Sequence, residues 1–318
     1  MWARTFSLAL LVGTTASAQP SIWDAARDPD TVKQYQTLVA VERLLSGTAS
    51  DDDLDPFRAR DRELAAMAML ELTGGENLRD VRLGFVLGDL FQEVGRDEAA
   101  QRILERSLKR APDSPLAGQG WFNLGIVSAR LKRPTREREA YTLALDRVYQ
   151  PAFRANIYMN RGESSMVLGE LEAAAADYRK AIRTSQEPRH LALAYYGLGI
   201  TLERSGDLPG ALDAMRQARI SFASALDAHG VFFVPSYDIF YYKALGEMSA
   251  ARDTKKPREL ALHLFMAVDY WERYLEEAER DQHRWVPNAK QHLKNTEKRL
   301  KPLLPEVKKV LNDQNLLP

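Results

Sequence analysis

A repeat of 37 residues constrains this chain more than any single motif does. Leu87-Gly88, Leu124-Gly125, Arg161-Gly162 and Leu198-Gly199 follow one another at that spacing. Twelve residues after each glycine stand Ala100, Glu137, Ala174 and Ala211, and four further on stand Leu104, Tyr141, Tyr178 and Met215. Three beyond those come Ser107, Ala144, Ala181 and Ala218, and Gly95, Gly169 and Gly206 mark a turn between the halves of three copies. The pattern predicts helical hairpins. Glycine in the first helix lets the second approach closely, and the long side chain of the second fills the gap to the next hairpin. One such hairpin buries too little to stand alone, so neighbours must stack and complete each other's cores.

These positions resemble the tetratricopeptide repeat family. In its frame of about 34 residues, units fall at 81–114, 118–151, 155–188 and 192–225. The large residue expected early in the first helix is Trp121, Tyr158 and Tyr195 in the last three units, with Gly84 in the first. Pro112 closes a unit, and Pro151 and Pro188 stand two positions later in theirs. Arg161 replaces the family's usual Leu and Glu137 its usual Ala. The resemblance implies an all-α, right-handed superhelical solenoid of such hairpins, with first helices lining a concave groove. A divergent fifth unit is expected at 239–280, carrying Tyr242 and Leu245-Gly246, then Ala267, Trp271 and Tyr274. Residues 19–80 read as N-terminal helices forming a degenerate repeat. Residues 281–318 read as a C-terminal capping helix, polar on its wet face, with a tail.

The family's fifth first-helix position points into the groove and is here Phe85, Phe122, Met159 and Tyr196; the ninth is Asp89, Ile126, Glu163 and Ile200. A row of large apolar side chains flanked by mixed charge implies a protein partner that offers an apolar peptide or helix segment. Inward packing of the same side chains is the competing expectation, because an open apolar row is costly in water. The stretch 226–238 breaks the period with an aromatic loop. Phe232, Phe233 and Tyr237 within it either anchor a partner or fold back onto the helices.

Signals for chemistry are thin. The chain has no cysteine, which excludes disulfides and thiolate zinc sites. Its 44 basic and 44 acidic side chains balance to zero, which argues against a protein held by bulk charge on nucleic acid or anionic lipid. None of His190, His229, His263, His283 and His292 stands at metal-ligand spacing, and Asp51, Asp53 and Asp55 lack the glycine and glutamate of a calcium loop. Asp89 and Glu163 belong to different repeats, too far apart for one bond. No catalytic residue, metal or cofactor is expected. Lys290, Lys294, Lys298, Arg299, Lys301, Lys308 and Lys309 form a basic C-terminal stretch. It reads as a wet helix face, or as a contact for anionic lipid, acidic glycan or an acidic protein.

Residues 1–18 read as a secretory signal. Arg4 precedes the apolar run Phe6 to Val12, and Ala16-Ser17-Ala18 offers a cleavage site before Gln19. The run is shorter than the roughly 20 residues that span a bilayer. Together these features lead to the expectation of a non-enzymatic scaffold exported to the bacterial periplasm, or secreted, with no transmembrane segment. A glycan- or peptidoglycan-associated module is the alternative, and self-association through terminal helices stays open.

Overall fold

The computed structural model describes residues 81–227, 231 and 233–313, together with Met67. The expected signal at 1–18, the remaining helices expected at 19–80, Phe232 and His229 lie outside the described residues. Among the described residues all regular structure is helical. The described residues divide into two compact units, the boundary falling between Val148 and Tyr149.

The first unit contains α1 (Val81–Glu93), α2 (Asp97–Arg110), α3 (Ala117–Arg130) and α4 (Pro134–Leu145). Charge placement favours α2: Asp97 and Glu98 lie in its first turn and Lys109 and Arg110 in its last, each opposite in sign to the helix dipole end beside it. Pro134 occupies the start of α4, where its missing N–H costs no helix bond. Packing within the hairpins follows the repeat. A methyl group placed on Gly88 would meet Leu104 at 2.6 Å, and one on Gly125 would collide with the Tyr141 ring. Arg130 ties α3 back to the preceding turn, donating to the Gln92 carbonyl at 2.6 Å and lying 3.3 Å from Asp97.

The second unit contains α5 (Pro151–Leu168), α6 (Leu171–Thr184), α7 (Pro188–Arg204), α8 (Leu208–Ser221), a 3-10 turn Ala225–Asp227, α9 (Asp238–Asp253), α10 (Pro257–Ala278), α11 (Val286–Leu300), a second 3-10 turn Lys301–Leu303 and α12 (Leu304–Asp313). Proline again opens α5, α7 and α10. Tyr178 is wedged between Gly162, where an added methyl would sit 3.2 Å from its ring, and Gly197, where it would collide. Met215 fills the slot over Gly199. Arg161, the departure from the usual Leu, is held by a two-pronged bond to Asp177 at 2.7 and 2.8 Å, so the polar substitution is matched on the facing helix. The α9–α10 hairpin buries Leu245, Ala267, Trp271 and Tyr274 completely. Beyond α11, Pro302 and Pro305 do not end helical structure. They sit in a 3-10 turn and in the first turn of α12, whose Val307 packs with Ala261 and Leu264.

Four turns share one backbone device at the 37-residue period. Gly95, Gly169 and Gly206 have φ of 75°, 84° and 89°, and Lys132 takes the equivalent place with φ 56°. Left-handed backbone closes each first helix and starts the return, and in one turn a lysine tolerates it.

Candidate functional site

In the first unit, the fifth-position side chains are part of the core. Phe85 is 5% and Phe122 6% exposed. The Phe85 ring lies over Gly120 of the next first helix, at the place a methyl group there would occupy, and Phe122 packs on Tyr141 with ring centroids 5.9 Å apart. Ninth-position Asp89 and Ile126 are half-buried. Asn123 Nδ2 donates to Asp89 Oδ1 at 2.6 Å and Gln119 Nε2 donates to Asn123 Oδ1 at 2.9 Å. This chain of amide and carboxylate groups runs from α3 to α1. The surface therefore carries polar groups where the apolar row was expected.

In the second unit, Met159, Tyr196 and Ile200 are likewise buried, Ile200 wholly. Burial raises the Tyr196 hydroxyl to about 12. Glu163 accepts hydrogen bonds from Tyr178 on α6 at 2.8 Å and from Tyr242 on α9 at 2.9 Å. Burial pushes its carboxyl up, against the pull of Arg204. The sequence expectation of an open apolar row thus meets a different arrangement. The large side chains fill slots between helices, as the competing expectation had it. Tyr237 of the aromatic loop also turns inward: its hydroxyl donates to Asp281 at 3.0 Å and its ring meets Tyr274 edge-on. Phe233, half-buried, packs edge-on against Tyr242 at 5.0 Å.

Around Glu163 lies a buried charged cluster that no spacing in the sequence announces. Arg204, at the end of α7, has a side chain 2% exposed; it sits 3.4 Å from Asp238 at the start of α9 and stacks over Tyr241 and Trp285. Burial alone would lower its basicity, yet Asp238 and the surrounding hydroxyls hold it above the usual arginine value. Asp238 is itself pushed up by burial, with Arg204 opposing. Next to Arg204, Glu203 accepts from Tyr241 at 2.6 Å and from Asn288 at 3.1 Å, and lies 2.7 Å from His292 Nε2. Burial raises this carboxyl, but the bonds from His292, Tyr241 and Asn288 together outweigh it and hold Glu203 below the usual range. His292 stacks on Trp271 at 5.3 Å. Nearby, the Tyr274 hydroxyl lies 2.5 Å from His283 Nδ1, and burial drops His283 to about 4.

Chemically this is a brace. Three carboxylates and one guanidinium meet phenols, an amide and an imidazole from α5, α6, α7, α9 and α11, with Arg204 Nε and Asp238 Oδ1 left without a partner. Side chains so committed cross-link the helices. Arg204 with Asp238, 34 residues apart, and Glu203 with Tyr241, 38 apart, carry a faint echo of the repeat; Asn288 and His292 lie 85 and 89 residues from Glu203. Among the described residues no three His, Asp or Glu side chains gather as metal ligands, and no helix is long and apolar enough to cross a membrane.

Comparison with known proteins gives a family match and structural likenesses. Residues 85–150 and 160–225 match the family described as tetratricopeptide repeat. A crystal structure of MamA protein aligns at 15% identity over 63% of this chain and 98% of that chain, with a TM-score of 0.49. MamA from Desulfovibrio magneticus RS-1 aligns at 18% identity over 60% and 96% of the two chains, TM-score 0.49. PilW, described as a widely conserved type IV pilus biogenesis factor, aligns at 18% identity over 77% and 93%, TM-score 0.48. No curated protein matches the sequence.

Proposed function

We infer, from a chain whose residues 85–150 and 160–225 are tetratricopeptide repeats, that it is a non-enzymatic adaptor that holds a segment of a partner protein and helps assemble a complex in the bacterial envelope. The family is built for protein contact, and the signal-like residues 1–18 support an envelope address. The partner segment lies along the first helices α1 and α3. Buried Phe85, Phe122 and Asn123 stiffen that face, Ile126 supplies apolar contact, and half-buried Gln119 and Asp89 at the two ends of the polar chain supply donors and acceptors for a peptide backbone.

The observation that carries this reading is the contrast in exposure between Ile126 and Ile200 at the ninth position; Glu163, like Asp89, is half-buried. Asp89 and Ile126 keep accessible surface where Ile200 has none. In the second unit Met159, Tyr196 and Ile200 are packed in the core and half-buried Glu163 is held by Tyr178 and Tyr242, so these side chains act as framework. A photo-crosslinking residue at Ile126, expressed in the native host, tests it. A discrete protein adduct that disappears with Asp89→Lys is the expected result. Absence of any protein adduct, with the variant folded, refutes the adaptor reading.

A further inference from the structure

We propose that the exposed face of α11, with the turn that follows it, is a docking surface for anionic lipid headgroups. Overall the chain is neutral. Between residues 286 and 309, however, seven lysines and arginines face two glutamates. One of these, Glu306, is already engaged by Lys309 at 2.6 Å and Arg258 at 3.7 Å. Four-residue steps set Lys290, Lys294 and Lys298 along one side of α11, and Ala289, His292, Thr296 and Leu300 form the buried side. Lys301 continues the row into the 3-10 turn.

What distinguishes this end is the clustering of its unpaired cations. Arg219, Lys243, Arg252, Arg273 and Arg280 each lie within 3.2 Å of a carboxylate. Lys290 is held by Glu279 at 2.8 Å and Lys309 by Glu306, but Lys294, Lys298, Arg299, Lys301 and Lys308 are exposed and have no carboxylate at ion-pair distance among the described residues; Arg179, Arg183, Lys255 and Arg284 share that state but lie scattered along the unit. Unpaired positive charge raised in a row favours a surface of spread negative charge. Lysine predominates over arginine, which suits point attraction to many headgroups better than forked recognition of single carboxylates. At the end of the row Leu304 is 45% exposed between exposed Pro302 and Pro305, an apolar tip able to enter the headgroup boundary beside the charges. Attachment of this kind is peripheral and independent of partner binding on α1 and α3.

Sedimentation of the full chain with vesicles tests the proposal. Phosphatidylcholine vesicles containing phosphatidylglycerol should pull the protein down at low salt; pure phosphatidylcholine vesicles should not, and high salt should release it. Lys294→Gln, Lys298→Gln and Lys301→Gln combined should weaken binding roughly a hundredfold, since each cation near an anionic surface adds a comparable increment. The corresponding triple arginine variant should bind as wild type does, and circular dichroism should be unchanged in all. Binding equal to wild type in the glutamine variant overturns the proposal. So does indifference to phosphatidylglycerol, and so does retention on polyglutamate beads without vesicle binding, which would assign the face to an acidic protein.

Discussion

In the first unit, Asp89 and Ile126 keep part of their surface, and Asp89 is linked to α3 by a short polar chain. In the second, Ile200 is wholly buried and Glu163 is bridged by tyrosines from two other helices. The local repeat is the same in both: glycine in a first helix, a long side chain over it, left-handed backbone at the turn. What differs is what comes after. In the second unit the period breaks before α9, and α9 and α11 bring Tyr241, Tyr242, Asp238, Asn288 and His292 against the ends of α5 and α7. A repeat therefore fixes how helices pair, and the departures from it decide which faces remain available.

The sharpest way to break this contrast is to remove the centre of the brace. Arg204→Met leaves Asp238 and Glu163 buried without their cation and should destabilise the second unit by about 3–5 kcal/mol in urea unfolding. Adding Asp238→Leu should recover much of the loss, because an apolar pair replaces an ionic one at little net cost. Next in size, Tyr178→Phe deletes a hydroxyl bond to Glu163 and should cost about 1–2 kcal/mol. Its counterpart Tyr141→Phe in the first unit should cost under about 0.5 kcal/mol. Equal costs would erase the distinction between the units.

A smaller effect is expected from pH. His283 sits well below its ordinary 6.5, at about 4, because burial disfavours the imidazolium. Its folded form therefore refuses a proton that the unfolded chain accepts between those values. Stability from this group is present above pH 6.5 and is lost as pH falls towards 4. Melting curves of wild type and His283→Gln should diverge across that window, with wild type losing more on acidification. The smallest change concerns the turns: Lys132→Gly should stabilise the first unit by about 0.5–1 kcal/mol, by relieving left-handed backbone on a side chain.

The hairpins were legible because helix packing demands particular sizes at fixed spacing. Gly88 with Leu104, Gly125 with Tyr141, Gly162 with Tyr178 and Gly199 with Met215 meet as the 37-residue pattern implies. Lys132 escaped notice because lysine carries no turn signature, although the period points to its position. The apolar row was assigned to a groove because its slots are made by other helices: Gly120, which receives Phe85, shows nothing of that role in its own neighbourhood. The Arg204 brace was invisible for a similar reason. Its members come from five helices, and no local pattern links Glu203 to His292.

The two units differ most plainly at one repeat position, where Ile126 is half-buried and Ile200 wholly buried. A chain without cysteine permits a direct measurement. Ile126→Cys and Ile200→Cys, made separately, can be timed against a soluble maleimide under native conditions. Labelling at position 126 should be rapid, and labelling at 200 only as fast as the second unit opens. Equal rates at the two positions would contradict that difference.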